Sequence, residues 1–417
     1  MIATALLPLG LLIAAEDAPR GSQAAHAGHA MTMPGALGDY PMSRDASGTS
    51  WQPDTTPHAM GHAMRGDWTL MAHAMLNGVY DWQEGPRGDE QAFLSGMVMG
   101  SARRSLDESN ALTLRGMLSP DAFMGKRGYP LLLAAGETAD GETPLVDRQH
   151  PHDLFMELSA TWAHVLGDGR SVFLYAGLPG EPAFGPPAFM HRPAAMMSPE
   201  APITHHWLDS THITFGVFTV GWVQRRGKLE ASRFTGREPD EERYDIERPR
   251  MDSTAVRASW NSGANWSLQA SWADVKSPEQ LEPEVDEERL SASALYGRDL
   301  GNGRSLALTL AWGHKDPTEG DATEALALEA AYVPARDWQL FGRAEWIETP
   351  ELGDDHHDVH EVSKISLGLR REFALSERTR LGLGALYAFN RVDAALRASY
   401  GGSPDGAMVF VQFLAGT

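Results

Sequence analysis

From Asp67 to the C-terminus the chain divides into segments of about ten residues in which apolar and polar side chains alternate with a period of two. That period puts alternate side chains on opposite faces of a strand, so the chain is committed to β-sheet. Residues 265–273 set Trp266, Leu268, Ala270 and Trp272 against Asn265, Ser267, Gln269 and Ser271. Residues 305–313 set Leu306, Leu308, Leu310 and Trp312 against Ser305, Thr309 and Gly313. The same holds for Trp338, Leu340, Ala344 and Trp346 against Gln339, Arg343 and Glu345. In residues 380–390 Leu381, Leu383, Ala385, Tyr387 and Phe389 oppose Arg380, Gly382, Gly384 and Asn390. Aromatics lie near the ends of these apolar faces, as the two interfaces of a membrane require. A soluble sandwich or propeller also alternates, but needs no such girdles, and no blade-length repeat is present.

The connections alternate in length. Short ones at 103–109, 167–170, 225–227, 261–264, 298–303, 334–337 and 374–378 interleave with longer ones at 81–91, 119–153, 178–210, 236–251, 275–287, 314–323, 349–359 and 392–405. This pattern predicts an all-β, antiparallel transmembrane β-barrel of about 16 strands, with both chain ends on the short-turn side. Nowhere do about eighteen apolar residues run together, which excludes a helical membrane span. A net charge of −21 argues against a nucleic-acid partner. The absence of cysteine removes disulfides and every thiolate metal site.

Residues 1–15 (MIATALLPLGLLIAA) read as a signal-peptide-like segment, although no Lys or Arg precedes the apolar core. Residues 16–66 are poor in large apolar side chains and rich in Ala, Gly, Pro, His and Met, which predicts a flexible periplasmic tail. The barrel is expected to occupy 67–417.

Methionine and histidine cluster at short spacing. The tail carries His26, His29, Met31 and Met33, then His58, Met60, His62 and Met64. The phase of the first strand turns Trp68, Leu70, Ala72, Ala74 and Leu76 to lipid and Met71, His73 and Met75 inward. The same argument turns Met97 and Met99 of the second strand and Met117 of the third toward the lumen. Adjacent strands lie about 4.8 Å apart, so thioethers and imidazoles of neighbours can share a soft ion such as Cu(I). Packing of these methionines against a loop or the tail inside the lumen is the competing reading. The two longest loops hold a second set, His150, His152, His191, His205, His206 and His212, with Asp147, Asp153 and Asp209 close in sequence. Imidazoles with carboxylates suit Cu(II) or zinc, or an acid–base pair, and equally a structural hydrogen-bond network. A third patch, DDHHDVHE at 354–361, reads as a solvated loop.

The stretches DRQHPHDLFMELS, LYAGLPGEPAFGPPAFMHR, HHWLDSTHITFGVFTVGW and KLEASRFTGREPDEERYDIE, with WSLQASWADVKSPEQLEPE, LFGRAEWIE and the terminal MVFVQF, resemble a widespread family of uncharacterised bacterial outer-membrane β-barrel proteins. Members are often found alongside copper and other heavy-metal resistance genes. The resemblance covers most of the chain after residue 67 and implies the outer membrane of a Gram-negative bacterium, a lipid environment and insertion by the barrel-assembly machinery. This chain ends FLAGT, without the terminal aromatic usual in such barrels. The function expected is a barrel that binds, sequesters or passes copper or a similar soft metal ion, with zinc as a second metal. A passive porin whose Met and His content is incidental is the alternative, and a hydrolase using loop histidines such as His150 and His205 is a third.

Overall fold

The computed structural model describes residues 33–57, 61–353 and 358–416. A short β1 (Gly61–Arg65) leads into β2 (Trp68–Gln83), β3 (Glu90–Ser105) and β4 (Asn110–Leu118). A separate hairpin, β5 (Tyr129–Thr138) with β6 (Pro144–Gln149), interrupts the series. There follow β7 (Phe155–Gly167), β8 (Arg170–Gly177), β9 (Val217–Gln224), β10 (Gly227–Phe234), β11 (Ser253–Trp260) and β12 (Trp266–Val275). The last seven are β13 (Glu287–Gly301), β14 (Arg304–Pro317), β15 (Thr323–Ala335), β16 (Trp338–Thr349), β17 (His360–Ser376), β18 (Thr379–Arg391) and β19 (Asp405–Ala415).

Sixteen of these strands, β2–β4 and β7–β19, form one antiparallel sheet. Each pairs with the next in sequence, β4 pairs with β7 across the inserted hairpin, and β19 pairs with β2. The last pairing, with Gln412 opposite Asn77, closes the sheet into a barrel. Closure matters because a free edge of unpaired amides is not tolerated in hydrocarbon.

The two faces divide as the alternation requires. Leu310, Leu326, Leu328, Leu340, Leu367, Val409 and Val411 are exposed on the outside. Their lumenal neighbours Thr309, Glu329, Arg343, Ser366, Arg370 and Gln412 are buried. A continuous apolar belt around a closed sheet can be covered only by lipid, so the strands span a membrane.

The lumen is largely filled. The 119–154 connection carries a single turn at Pro120–Met124 and the β5–β6 hairpin, whose Leu131, Leu132 and Leu133 are buried. The 178–216 connection crosses toward the far wall and contains a one-turn helix α1 (His205–Leu208). There Trp207 donates its indole N–H to Thr323 of β15 (3.0 Å), and Thr204 donates its hydroxyl to Glu345 of β16 (2.8 Å).

Residues 33–57 correct the expectation of a flexible tail over 16–66. They lie inside the barrel at its short-turn end, where Leu37, Tyr40 and Trp51 pack with Ala163, Phe173 and Val223 of the inner wall. Ser171 donates to the carbonyl of Leu37 (2.6 Å), Arg44 to that of Arg225 (2.9 Å), and Asn261 to that of Gln52 (2.9 Å). Thr49 donates its hydroxyl to Glu230 of β10 (2.6 Å). The reason lies in the wall. A segment too polar to build its own core needs none when the surface around it is rich in inward-facing Ser, Arg and Glu. Residues 61–65 add a strand beside β2, with His62 opposite Met71.

Candidate functional site

Two side-chain assemblies occupy the lumen, one above the other. The first is a chamber between the internal segment and the crossing loop. The registers Met71↔Ser101, His73↔Met99 and Met75↔Met97 on β2–β3, then Met99↔Met117 on β3–β4, place these inward side chains side by side. Around them is a cavity of about 430 Å³ lined by Met42, Met71, Met75, Met97, Met99, Met196 and Met197, with His73 and His191. Asp45, Arg103, Arg115, Glu372 and Arg380 are the charged side chains of its wall. Burial, with His73 and Arg115 nearby, lowers the pKa of His191 to about 3. It is therefore neutral at ordinary pH, with Nε2 making no hydrogen bond. A neutral imidazole among thioethers is a donor set for soft cations, since neither group must lose a proton to bind.

Of the residues expected in the lumen, Met71, His73, Met75, Met97 and Met99 line this chamber. Met117 also points inward but is not among the lining residues; it packs in the main apolar cluster with Met75, Met97 and Met156. It pairs with Met99 on one side and Glu157 on the other, and its side chain is taken up by that apolar cluster. His191, grouped by sequence with the loop histidines, belongs to the chamber instead. Of the tail residues, His62 and Met64 lie exposed on β1 and do not line it; the Thr69 hydroxyl donates to the Met64 sulfur (3.1 Å). His58 and Met60 lie outside the described residues.

A smaller cavity of about 40 Å³ adjoins the chamber. It shares Met75, Met97 and Met196 with the chamber and reaches His152, Asp121 and Phe189. That volume accommodates ordered water beside polar partners.

Beyond it lies the second assembly. His150, His152, His205, His206 and His212 are all buried, with ring centroids 5.1 Å apart for His152–His212, 5.2 Å for His205–His212 and 5.7 Å for His150–His206. Phe189 packs among them. Three Nδ1 atoms are oriented by oxygens: His152 by Asp121 (2.7 Å), His205 by Asp209 (2.8 Å) and His212 by the carbonyl of Asp209 (2.7 Å). The His205–Asp209 contact is an i,i+4 pair that one turn of helix supplies.

Asp209 also binds Arg192 (2.5 Å), which in turn binds Glu329 on the barrel wall (2.7 Å). Although burial opposes its ionisation, Arg192 and His205 keep Asp209 a carboxylate well below its ordinary range. Burial, reinforced by the crowding of neighbouring imidazoles and, for His150, by Arg243, holds His150 and His212 well below the usual histidine value. His206 moves the other way: burial opposes its charge, but Glu238 outweighs this and raises it to about 9. Glu137, 3.1 Å from His150, is pushed up to about 7 by burial in spite of Arg243. The His150–Glu137 contact is thus held with the imidazole neutral.

Glu137, Asp121 and Met42 carry no sequence signal, and Glu238 shows only as part of the acidic run REPDEERYDIERPR in an outside loop. Asp121 and Glu137 meet His152 and His150 across the fold of one long connection, Glu238 reaches His206 from another loop, and Met42 reaches the chamber from the internal segment. Met196 and Met197 were visible only as a pair within the long loop.

The barrel resembles solved outer-membrane structures. It superposes on Salmonella typhi OmpF, solved in complex with daunomycin, with a TM-score of 0.54 at 12% identity over 85% of this chain and 99% of that one. For Pseudomonas putida OprB the TM-score is 0.50 at 10% identity, covering 83% and 94%. The likeness is one of fold. No family model matches the sequence, and no curated protein is detectably similar. The kinship expected from the loop motifs therefore finds support at the level of the barrel, and the association with copper resistance finds none.

Proposed function

We propose that this chain is an outer-membrane channel of the porin type, in a Gram-negative envelope, whose passage is narrowed to ions and small solutes. The observation that carries the reading is the closed sixteen-strand barrel, apolar outside and polar within, in the fold class of OmpF and OprB. The internal segment and the crossing loop narrow the lumen, and the larger cavity is the space left between them. Refolded protein in planar bilayers and swelling liposomes tests this. The full chain passes small ions with low conductance, and removal of residues 33–57 raises it severalfold. Bilayers that stay silent with both forms would overturn the channel.

A second reading is favoured by one specific feature, the seven methionines and two histidines around the larger cavity. On this reading the channel binds or passes a soft ion, Cu(I) or Ag(I), at Met71, His73, Met75, Met97, Met99 and His191, with zinc or Cu(II) suited to the loop imidazoles. Anaerobic Cu(I) stoichiometry of the unaltered chain, set beside Met71→Leu/Met97→Leu/Met99→Leu, tests it. Leucine keeps the volume and removes the sulfur. Loss of bound copper in the variant supports the reading, and identical stoichiometry leaves the plain channel.

A further inference from the structure

Near the long-loop end, three connections that are far apart in sequence bring His206, Glu238 and Glu279 together. One ligand atom from each lies within 4.8 Å of the other two. His206 stands in α1 of the 178–216 connection, Glu238 in 235–252 and Glu279 in 276–286. None of the alternation or His/Met patterns points to the two glutamates.

The positions are built. The amide of Glu238 donates to the carbonyl of Pro278 (3.0 Å) and the Arg237 guanidinium to that of Ser277 (2.8 Å), which fixes both glutamates relative to one another. On the other side, Gly136 of the inserted hairpin packs against the imidazole, where a Cβ would stand 2.6 Å from the His206 ring. Yet Glu238 is met only by long ionic contacts and by no hydrogen bond. Glu238 is buried, neither of its carboxylate oxygens makes a hydrogen bond, and neither does His206 Nδ1. The nearest approaches are longer: His206 Nδ1 to Glu238 Oε2 at 3.6 Å, and Arg289 to Glu238 Oε1 at 3.9 Å. Arg289 is itself engaged by Glu287 (2.5 Å), and so is Lys315 (3.1 Å). A buried carboxylate with empty acceptor positions is costly unless something fills them.

We propose that His206, Glu238 and Glu279 form a site for a divalent first-row cation of the zinc or manganese type, which fastens three loops together over the lumen. One imidazole nitrogen and two carboxylates are the donors such ions prefer, and the absence of sulfur separates this site from the methionine chamber below. Glu279 is only half-buried, which leaves a side from which an ion and its water can enter. The site does not depend on whether the barrel conducts.

Zinc is the probe. The refolded full chain is equilibrated with Zn(II), desalted and analysed for metal beside Glu279→Gln, the least buried of the three positions, with heat-modifiable mobility confirming that both are folded. Histidines elsewhere bind zinc equally in both, so the site appears as a difference of about one equivalent. Zinc also raises the Tm of the unaltered chain by several degrees and leaves that of Glu279→Gln unmoved. Glu279→His restores both effects by supplying another ligand. Equal zinc content and equal Tm shifts in the unaltered chain and Glu279→Gln would overturn the site.

Discussion

Arg192 shows how much a single lumenal residue carries. Its guanidinium is fully buried and joins Asp209, and through it His205, to Glu329 on β15. Removing the cation leaves Asp209 only its His205 contact and Glu329 only the Arg343 guanidinium at 3.6 Å, and breaking a buried pair typically costs about 3–5 kcal/mol. The barrel strands keep their own ladder, so in Arg192→Leu that cost falls on loop docking. Bilayer conductance of this variant is expected to exceed that of the unaltered chain, with heat-modifiable mobility unchanged. The loop histidines set the pH response. A histidine whose folded pKa is depressed stabilises the fold while neutral, a contribution present above its ordinary 6.5 and lost as pH falls toward the folded value, about 3 for His191. His150 and His212 act in the same direction. Glu137 and Asp153, pushed up by burial to about 7 and about 6, oppose it, since their contribution is greatest in acid. At the methionine chamber, whose wall carries His191, acid is therefore the loosening condition. Conductance recorded from pH 7.5 down to 4 should rise below about pH 5, and a flat profile would contradict the neutral-imidazole assignment.

Among the elements, the internal segment 33–57 is the most informative. Trp51 holds it, packed edge-on to Tyr40 (5.1 Å) with Arg44 over its ring (4.9 Å) and Arg44 paired with Asp54 (2.7 Å). Replacing a buried tryptophan by alanine costs about 3–5 kcal/mol, more than a segment held mainly by hydrogen bonds to the wall can absorb. Trp51→Ala should therefore release it, read as rapid tryptic cleavage after Arg44 in the folded barrel and as higher conductance. The strands behave differently, because lipid is their solvent. Leu328 on the outer face of β15 is half-exposed to lipid, and Leu328→Lys costs about 2–4 kcal/mol of folding free energy in vesicles. A folding titration in lipid measures that directly.

At the scale of the whole molecule, the period-two pattern and the alternation of short and long connections determined the barrel, its strand number, the side on which the ends lie and which side chains face in. They could do so because every strand of a membrane barrel solves the same local problem, apolar to lipid and polar to lumen, so the answer is written in each segment. That logic put Met71, His73, Met75, Met97 and Met99 on the inner wall. It could not reveal that residues 33–57 thread the lumen, that His191 joins the methionines, or that Glu238 and Glu279 meet His206. Those contacts join segments up to hundreds of residues apart, and their polar residues have no local period to betray a partner. What fills the barrel was decided only by the tertiary structure, because a closed wall converts otherwise solvated loops and a low-apolar tail into buried chain that must satisfy every donor and acceptor from across the lumen.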